Sequence, residues 1–297
     1  MQEFWFFLQL IIQGLAIGSV YSLVALGFVL IYKASSVINF AQGELLMVGA
    51  YVCLSLIVQF HLPFWAGFLL TMVFSVILAL AIERLILRPM IGEPVISIIM
   101  VTIGLSLVLK SFVSALWGTQ IRVFPTIFPQ APVRFGEIVV SQVYIYTFAA
   151  SIVFLIIFAL FFKYSRMGIA MRATANSNQV ALSMGISVKK IFAISWCVAA
   201  IVSAVGGILI GNINGVNVTL SAVGLKVFPA VILGGLDSIP GAVLGGLIIG
   251  ILENLSGGYL DHFFGGGVKE VAPFVILVII LMIKPYGLFG TEEIERV

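Results

Sequence analysis

Side chains able to do chemistry are sparse in this chain: 15 basic and 12 acidic residues among 297, with two histidines and two cysteines. Two short polar stretches nevertheless interrupt otherwise apolar sequence. The first is Asn39-Phe40-Ala41-Gln42-Gly43-Glu44, and the second runs from Gly234 to Pro240 and contains Asp237 and Ser238. Inside a bilayer a helix break frees backbone groups that can line a cavity, and paired breaks in the two halves of a chain point to a translocation site. On that reading Asn39, Gln42, Glu44, Asp237 and Ser238, with Gln13 from the first apolar run, form a candidate translocation path. The other reading makes both breaks ordinary interfacial turns, and Gln13 a helix-to-helix hydrogen-bond partner. Lys110, Glu83 and Glu253 stand near the ends of apolar runs, where a charge reaches the interface by snorkelling.

Catalysis and metal binding find little support. His61 and His262 lie in different loops with no ligand cluster near either, and neither His-Glu-x-x-His nor Gly-x-Ser-x-Gly occurs. No Gly-rich loop ends in Gly-Lys-Ser or Gly-Lys-Thr, so nothing here cradles a nucleotide phosphate. The expectation is a chain that is no enzyme and holds no metal or cofactor. Cys53 and Cys197 sit in apolar runs and read as small hydrophobes.

The elements that must carry these residues follow from composition. Hydrophobic residues make up 62% and charged residues 9%, whereas soluble domains are about 25% charged. Most of the surface is therefore solvated by lipid. A spanning helix needs roughly 20 mostly apolar residues. Runs fall at 9–32, 45–59, 64–82, 95–116, 144–162, 191–210, 239–254 and 271–283, with a shorter piece from Val227 to Gly235. They are continuous and lack the two-residue alternation of a membrane barrel, so strands are not expected. The fold class is all-α: one polytopic transmembrane bundle over 1–297, with about eight spans plus a half-helix or re-entrant segment. Gly14/Gly18, Gly207/Gly211/Gly215, Gly241/Gly245 and Gly246/Gly250 follow small-xxx-small spacing, which lets helix backbones approach closely. The first run is too long, and lacks the basic leader, for a signal peptide.

Basic residues in short loops set orientation. None precedes the first span and Lys33 follows it, so the N-terminus is expected outside. Arg84 and Arg88 mark an inside loop. The 117–142 segment, with Pro125, Pro129 and Pro132, reads as an extended outside loop. Lys163, Arg166, Arg172, Lys189 and Lys190 lie in 163–190 without a single acid, the strongest inside signal. The C-terminus is expected inside if 227–235 crosses. The net charge of +3 reads as membrane orientation, with lipid and not nucleic acid as the partner. Within 163–190, residues 175–185 read as a short helix with Asn176 as N-cap and Gly185 at the left-handed position past its end. It is either a docking element for another protein, with Ala181 and Leu182 as contact face, or a basic loop obeying the inside rule.

Gln179-Val180-Ala181 followed by Gly185 keeps the spacing of the cytoplasmic-loop motif of ABC importer permeases, without its acid and first alanine. Several further stretches belong with it: Gly18 to Gly27, Val37 to Glu44, Arg166 to Ala173, Leu233 to Gly246, and the closing Lys284-Pro285-Tyr286-Gly287-Leu288-Phe289-Gly290. Together they resemble the branched-chain amino acid ABC transporter permeases, in the shorter of that system's two permease types, over nearly the whole chain. The resemblance implies an inner-membrane pore subunit importing leucine, isoleucine, valine or related hydrophobic amino acids. Urea and amides are the substrates of related permeases. It also implies a second homologous permease, two cytoplasmic ATP-binding subunits holding ATP and magnesium, and a periplasmic substrate-binding protein. Coupling to the ATPases would fall to Gln179, Val180, Ala181, Leu182 and Gly185. The alternative is a self-sufficient secondary transporter or channel for small polar solutes, with Asp237 or Glu253 carrying a coupling ion.

Overall fold

Each apolar run becomes a helix in the computed structural model, which describes residues 2–125, 131–135, 138–176 and 178–290. The order is α1 (Gln2–Ser35), α2 (Gln42–Val58) and α3 (Phe64–Ile82), the last continuing through a π-helical turn, Glu83–Leu87, and a tight turn, Arg88–Met90. Next come α4 (Val95–Trp117), a hairpin of β1 (Pro132–Phe135) and β2 (Ile138–Ser141), α5 (Gln142–Tyr164), α6 (Arg166–Asn176), α7 (Asn178–Ser183) and α8 (Val188–Asn214). After a short 3-10 turn follow α9 (Ala222–Gly234), α10 (Ile239–Phe264) and α11 (Val268–Ile283). Among the described residues, six helices are long and apolar enough to cross a membrane, α3 being counted through to Met90. With 17 residues, α2 rises roughly 25 Å at 1.5 Å per residue. The 13 residues of α9 rise only about 20 Å, short of a ~30 Å hydrocarbon core.

Three details depart from the sequence expectations. The extended loop contains strands after all, pairing Pro132 with Ser141 and Val133 with Val140 in antiparallel register. The α10 helix runs ten residues past the expected end at 254, straight through Gly257 and Gly258. Space there is tight: a Cβ on Gly258 would press on the Leu10 side chain, and one on Gly257 would lie 3.2 Å from Lys269. The short helix expected over 175–185 divides in two, and Asn176 ends the first part instead of capping the second; the junction residue, 177, lies outside the described residues.

The bundle is organised around α1 and α8. The most apolar stretch of α1 is 94% buried within the protein and that of α8 78%, against 28%, 17% and 28% for α3, α4 and α5. A central helix must pack on all sides, and glycine makes this possible along one seam. A Cβ on Gly14 would sit 2.7 Å from the Ile251 Cα, and one on Gly18 2.9 Å from the Leu247 Cα, so α1 and α10 meet backbone to backbone. Ser22 ties the same seam by donating to the Val243 carbonyl at 2.6 Å. The peripheral helices turn apolar side chains outward, including Trp65, Leu69 and Ile77 of α3 and Ile96, Leu107 and Phe112 of α4, as a lipid-solvated surface requires.

Filling the α1–α10 seam is expected to cost the 1–3 kcal/mol typical of overpacking. Gly250→Val should lower the thermal midpoint in detergent by several degrees. Gly104→Val, where a side chain meets nothing within 4 Å, should leave the midpoint within error of the parent.

Candidate functional site

The first polar break lies inside the bundle and not at its surface. Asn39 is 1% exposed and Gln42 fully buried. The Asn39 side-chain amide donates to Gln42 Oε1 at 3.1 Å, and Asn39 Oδ1 accepts from the Ala41 N–H at 3.0 Å. Gln42 Nε2 in turn donates to Ser203 Oγ at 2.6 Å and to the Ala199 carbonyl at 3.4 Å. These α8 partners lie mid-helix, so the start of α2 sits deep in the bundle. Gly27 leaves the space that the Gln42 amide fills, since a Cβ there would collide with it. One residue on, Gly43 packs against the backbone of Ser221 and Gly224 where α9 begins. Two half-length helices thus start side by side. Glu44, 7% exposed, turns away from this node toward Ser106 and Lys110 of α4. Lys110 itself is exposed.

The second break is built from two distant pieces of chain. The Leu233 and Gly234 carbonyls at the end of α9 accept from the Leu288 N–H at 2.7 Å and the Phe289 N–H at 3.2 Å. Gly235, with φ +102°, turns the chain against Gly290. Ser238 caps α10, its hydroxyl accepting from the Gly241 N–H at 3.1 Å, with Pro240 in the first turn. That cap accounts for Ser238 without a transport role. Asp237 borders a pocket of about 260 Å³ with Tyr32, Leu236 and Tyr286. Of the six candidate path residues, the structure joins Asn39 and Gln42. Asp237 and Ser238 lie past the far end of α9. Gln13, half-buried, stands on α1 roughly 21 Å of helix rise from Gly27 and the Gln42 node.

Lys226, Glu270 and Ser203 carry no motif that marks them in the sequence, yet the first two join Glu253 in an ion-paired cluster. Lys226 Nζ of α9 lies 3.1 Å from Glu253 Oε1 of α10 and 2.7 Å from Glu270 Oε1 of α11. The Glu253 side chain is 1% exposed, that of Lys226 13% and that of Glu270 66%. Glu253 is therefore packed inside the protein: a buried carboxylate needs its partner, and Lys226 supplies it. The available signal was Lys226 itself, the lone base between Lys190 and Lys269. Glu83 is likewise buried, held by Arg88 through a bidentate pair at 3.0 and 3.1 Å.

At the end where Ile31, Ile82, Leu87 and Phe192 cluster, α6 and α7 project from the bundle. Ser165 caps α6, its hydroxyl accepting from the Gly168 N–H at 2.9 Å. A Cβ on Gly168 would press on the Phe161 carbonyl at 2.7 Å, so α6 folds tightly back on α5. Arg172 reinforces the fold-back, donating to the Lys163 carbonyl at 3.1 Å and lying over the Phe162 ring. Past α7, the Gly185 N–H bonds the Leu182 carbonyl at 3.0 Å and the Ile186 N–H bonds the Ala181 carbonyl at 2.9 Å. With Gly185 at φ +81°, this is a Schellman cap. Ala181 is 2% exposed and faces the bundle, so it anchors α7 and forms no contact face. Val180 and Leu182 are 62% and 58% exposed, and Gln179 is exposed beside them.

A profile of the branched-chain amino acid transport system permease component family matches residues 10–283. The chain belongs to that family. It is 33% identical over 314 residues to the high-affinity branched-chain amino acid transport system permease protein LivH of Escherichia coli K12, covering 100% of this chain and 99% of that protein. Its identity to the corresponding permease BraD of Pseudomonas aeruginosa is 32%, over 100% of both chains. A probable LivH of Methanocaldococcus jannaschii is 32% identical over 96% of this chain and 93% of the other. PsaBC from Streptococcus pneumoniae, solved in complex with Fab, shares the fold at a TM-score of 0.51 and 14% identity, over 94% of this chain and 92% of that one. The chain is thus a multi-pass membrane permease and not an enzyme. In this permease the stretches from Leu233 to Gly246 and from Lys284 to Gly290, remote in sequence, turn out to be one hydrogen-bonded unit at the end of α9.

Breaking the buried ion pair should be costly and asymmetric. Lys226→Met leaves Glu253 charged and alone, and is expected to destabilise by roughly 3–5 kcal/mol. The paired change Lys226→Met with Glu253→Gln should recover most of that loss, measured as melting of the purified permease.

Proposed function

We propose that the chain is the pore subunit of an ATP-driven importer of branched-chain or other hydrophobic amino acids in the inner membrane. It works with a second homologous permease, two cytoplasmic ATP-binding subunits that supply ATP and magnesium, and a periplasmic substrate-binding protein. The N-terminus lies outside and the C-terminus inside, with α6 and α7 on the cytoplasmic face. The full-length likeness to branched-chain amino acid permeases carries this reading and favours such amino acids over urea, amides or an ATP-independent mechanism.

The proposed coupling route starts at α7. Val180 and Leu182 stand exposed on either side of the buried Ala181, and a short helix exposing two apolar side chains suits insertion into a groove on a partner ATPase. A push on α7 passes to α8 through the Gly185 turn, and α6 is clamped to α5 by Gly168 and Arg172. Both routes lead into helices that cross the bundle, and rigid elements moving between two packings give alternating access. At the core of the path, the start of α2 meets the start of α9, with Asn39 and Gln42 beside it. Selection rests with the binding protein, so the pore needs only weak affinity.

Leu182→Glu and Val180→Glu place a charge on the exposed face. They should abolish ATP-driven uptake of leucine in reconstituted vesicles and loosen co-purification with the ATPases, while membrane insertion stays normal. Normal uptake by both variants would overturn the coupling role. Gly185→Pro should also block uptake, because Pro cannot adopt the positive φ and lacks the N–H that closes the cap.

A further inference from the structure

We propose that the permease carries its own subsite for the zwitterionic head of an α-amino acid, in the pocket formed by Lys226, Glu270 and the loop between α8 and α9. This inference rests on the functional reading above and adds a ligand position to it.

The pocket holds about 290 Å³, near the lower bound of small-molecule sites, ~300 Å³. Asn214 ends α8 and Glu270 begins α11, so the pocket lies at the end of the bundle opposite α6 and α7. Its polar lining is Asn214, Asn217, Thr219, Lys226 and Glu270, and Leu220, Ala222 and Val223 contribute apolar surface. The combination suits a ligand with a charged head and a short aliphatic tail.

The charges are unequally held. The Lys226–Glu253 pair is buried, and a second oxygen of Glu253, Oε2, is buried without a hydrogen-bond partner. Glu270 is the solvated member of the triad, so its contact with Lys226 is the one that can exchange. Lys269, the neighbouring cation on α11, is directed to Asn254 Oδ1 at 3.4 Å. A zwitterion can insert between Lys226 and Glu270, its carboxylate taking Lys226 and its ammonium taking Glu270. No net charge enters the site, and neither protein group is left unpaired. An amine alone leaves Lys226 with only its Glu253 partner, and a carboxylate alone leaves Glu270 to solvent, so each forgoes one charge-assisted contact that the zwitterion makes.

The test uses the detergent-purified transporter with its partner subunits but without the binding protein, and reads radiolabelled leucine by equilibrium dialysis. Competitors are unlabelled leucine, leucinol (amine only) and 4-methylpentanoate (carboxylate only). Leucine should bind, with leucinol and 4-methylpentanoate at least about tenfold weaker, the factor for one lost charge-assisted contact. Glu270→Gln, an exposed change, should weaken leucine about tenfold and leave 4-methylpentanoate unaffected. Equal competition by all three compounds, no leucine binding, or unchanged leucine affinity in Glu270→Gln would overturn the subsite. The analogue series needs no variant, so it stands even if one fails to fold. ATP-driven leucine uptake is measured on the same preparation. Intact uptake with failed binding rejects the subsite alone, whereas absent uptake rejects the importer reading beneath it.

Discussion

At the end of α9 the carbonyls of Leu233 and Gly234 find their hydrogen bonds more than fifty residues away, on Leu288 and Phe289. A helix that stops inside a bilayer has no water to take its last carbonyls, and each unmet group costs several kcal/mol. This chain stops helices against its own bundle repeatedly, and three of the stops are met by specific devices. The α9 end is closed by the C-terminal tail. The start of α10 is closed by the Ser238 hydroxyl, with Pro240 placed where a missing N–H does no harm. The turn into α2 is closed by Asn39, which accepts from Ala41 and donates to Gln42.

Those stops also require close approach. A half-helix buries little surface, so its backbone must lie hard against its neighbours to be held. Gly43 meets Gly224, Gly234 meets Gly241, and Gly245 meets the Ala230 carbonyl. In lipid, where apolar burial between helices drives little, association rests on this packing and on interhelical hydrogen bonds such as that from Ser22 to Val243. Glycine abundance, which composition alone reports only as a number, is therefore spent on the seams around α1, α9 and α10.

How far the sequence displays this depends on the kind of signal. Spanning helices are legible because lipid demands long apolar runs, and all eight expected runs are helical, with Val227–Gly235 falling in the half-helix α9. The left-handed Gly185 was readable from local rules alone. The partner of Gln42 was not, because Ser203 lies 161 residues away and looks like any small residue in an apolar helix. Ala181 was taken for a contact residue because spacing on so short a helix does not say which face the bundle covers. The hairpin at 132–141 was missed since two four-residue strands in a proline-bearing loop leave almost no periodic trace. The burial of Glu253 was hidden because α10 was expected to stop at 254, whereas the helix continues to Phe264 through Gly257 and Gly258.

The helix α8 connects these findings physically. Its first turn follows the Gly185 cap, its middle accepts the Gln42 amide at Ala199 and Ser203, and its last residue, Asn214, borders the Lys226–Glu270 pocket. A helix buried on most sides passes a displacement at one end to its neighbours, because close-packed interiors transmit strain. Under the proposed coupling, a tilt imposed at α7 must therefore change both the geometry around Gln42, where α2 meets α9, and the loop that walls the outer pocket. Lys226 then has a mechanical part as well as an electrostatic one: by holding α9 to α10 and α11, it fixes the half-helix while α8 moves past its start. Opening at one end and closing at the other follow from a single rigid element crossing a seam whose other members are pinned.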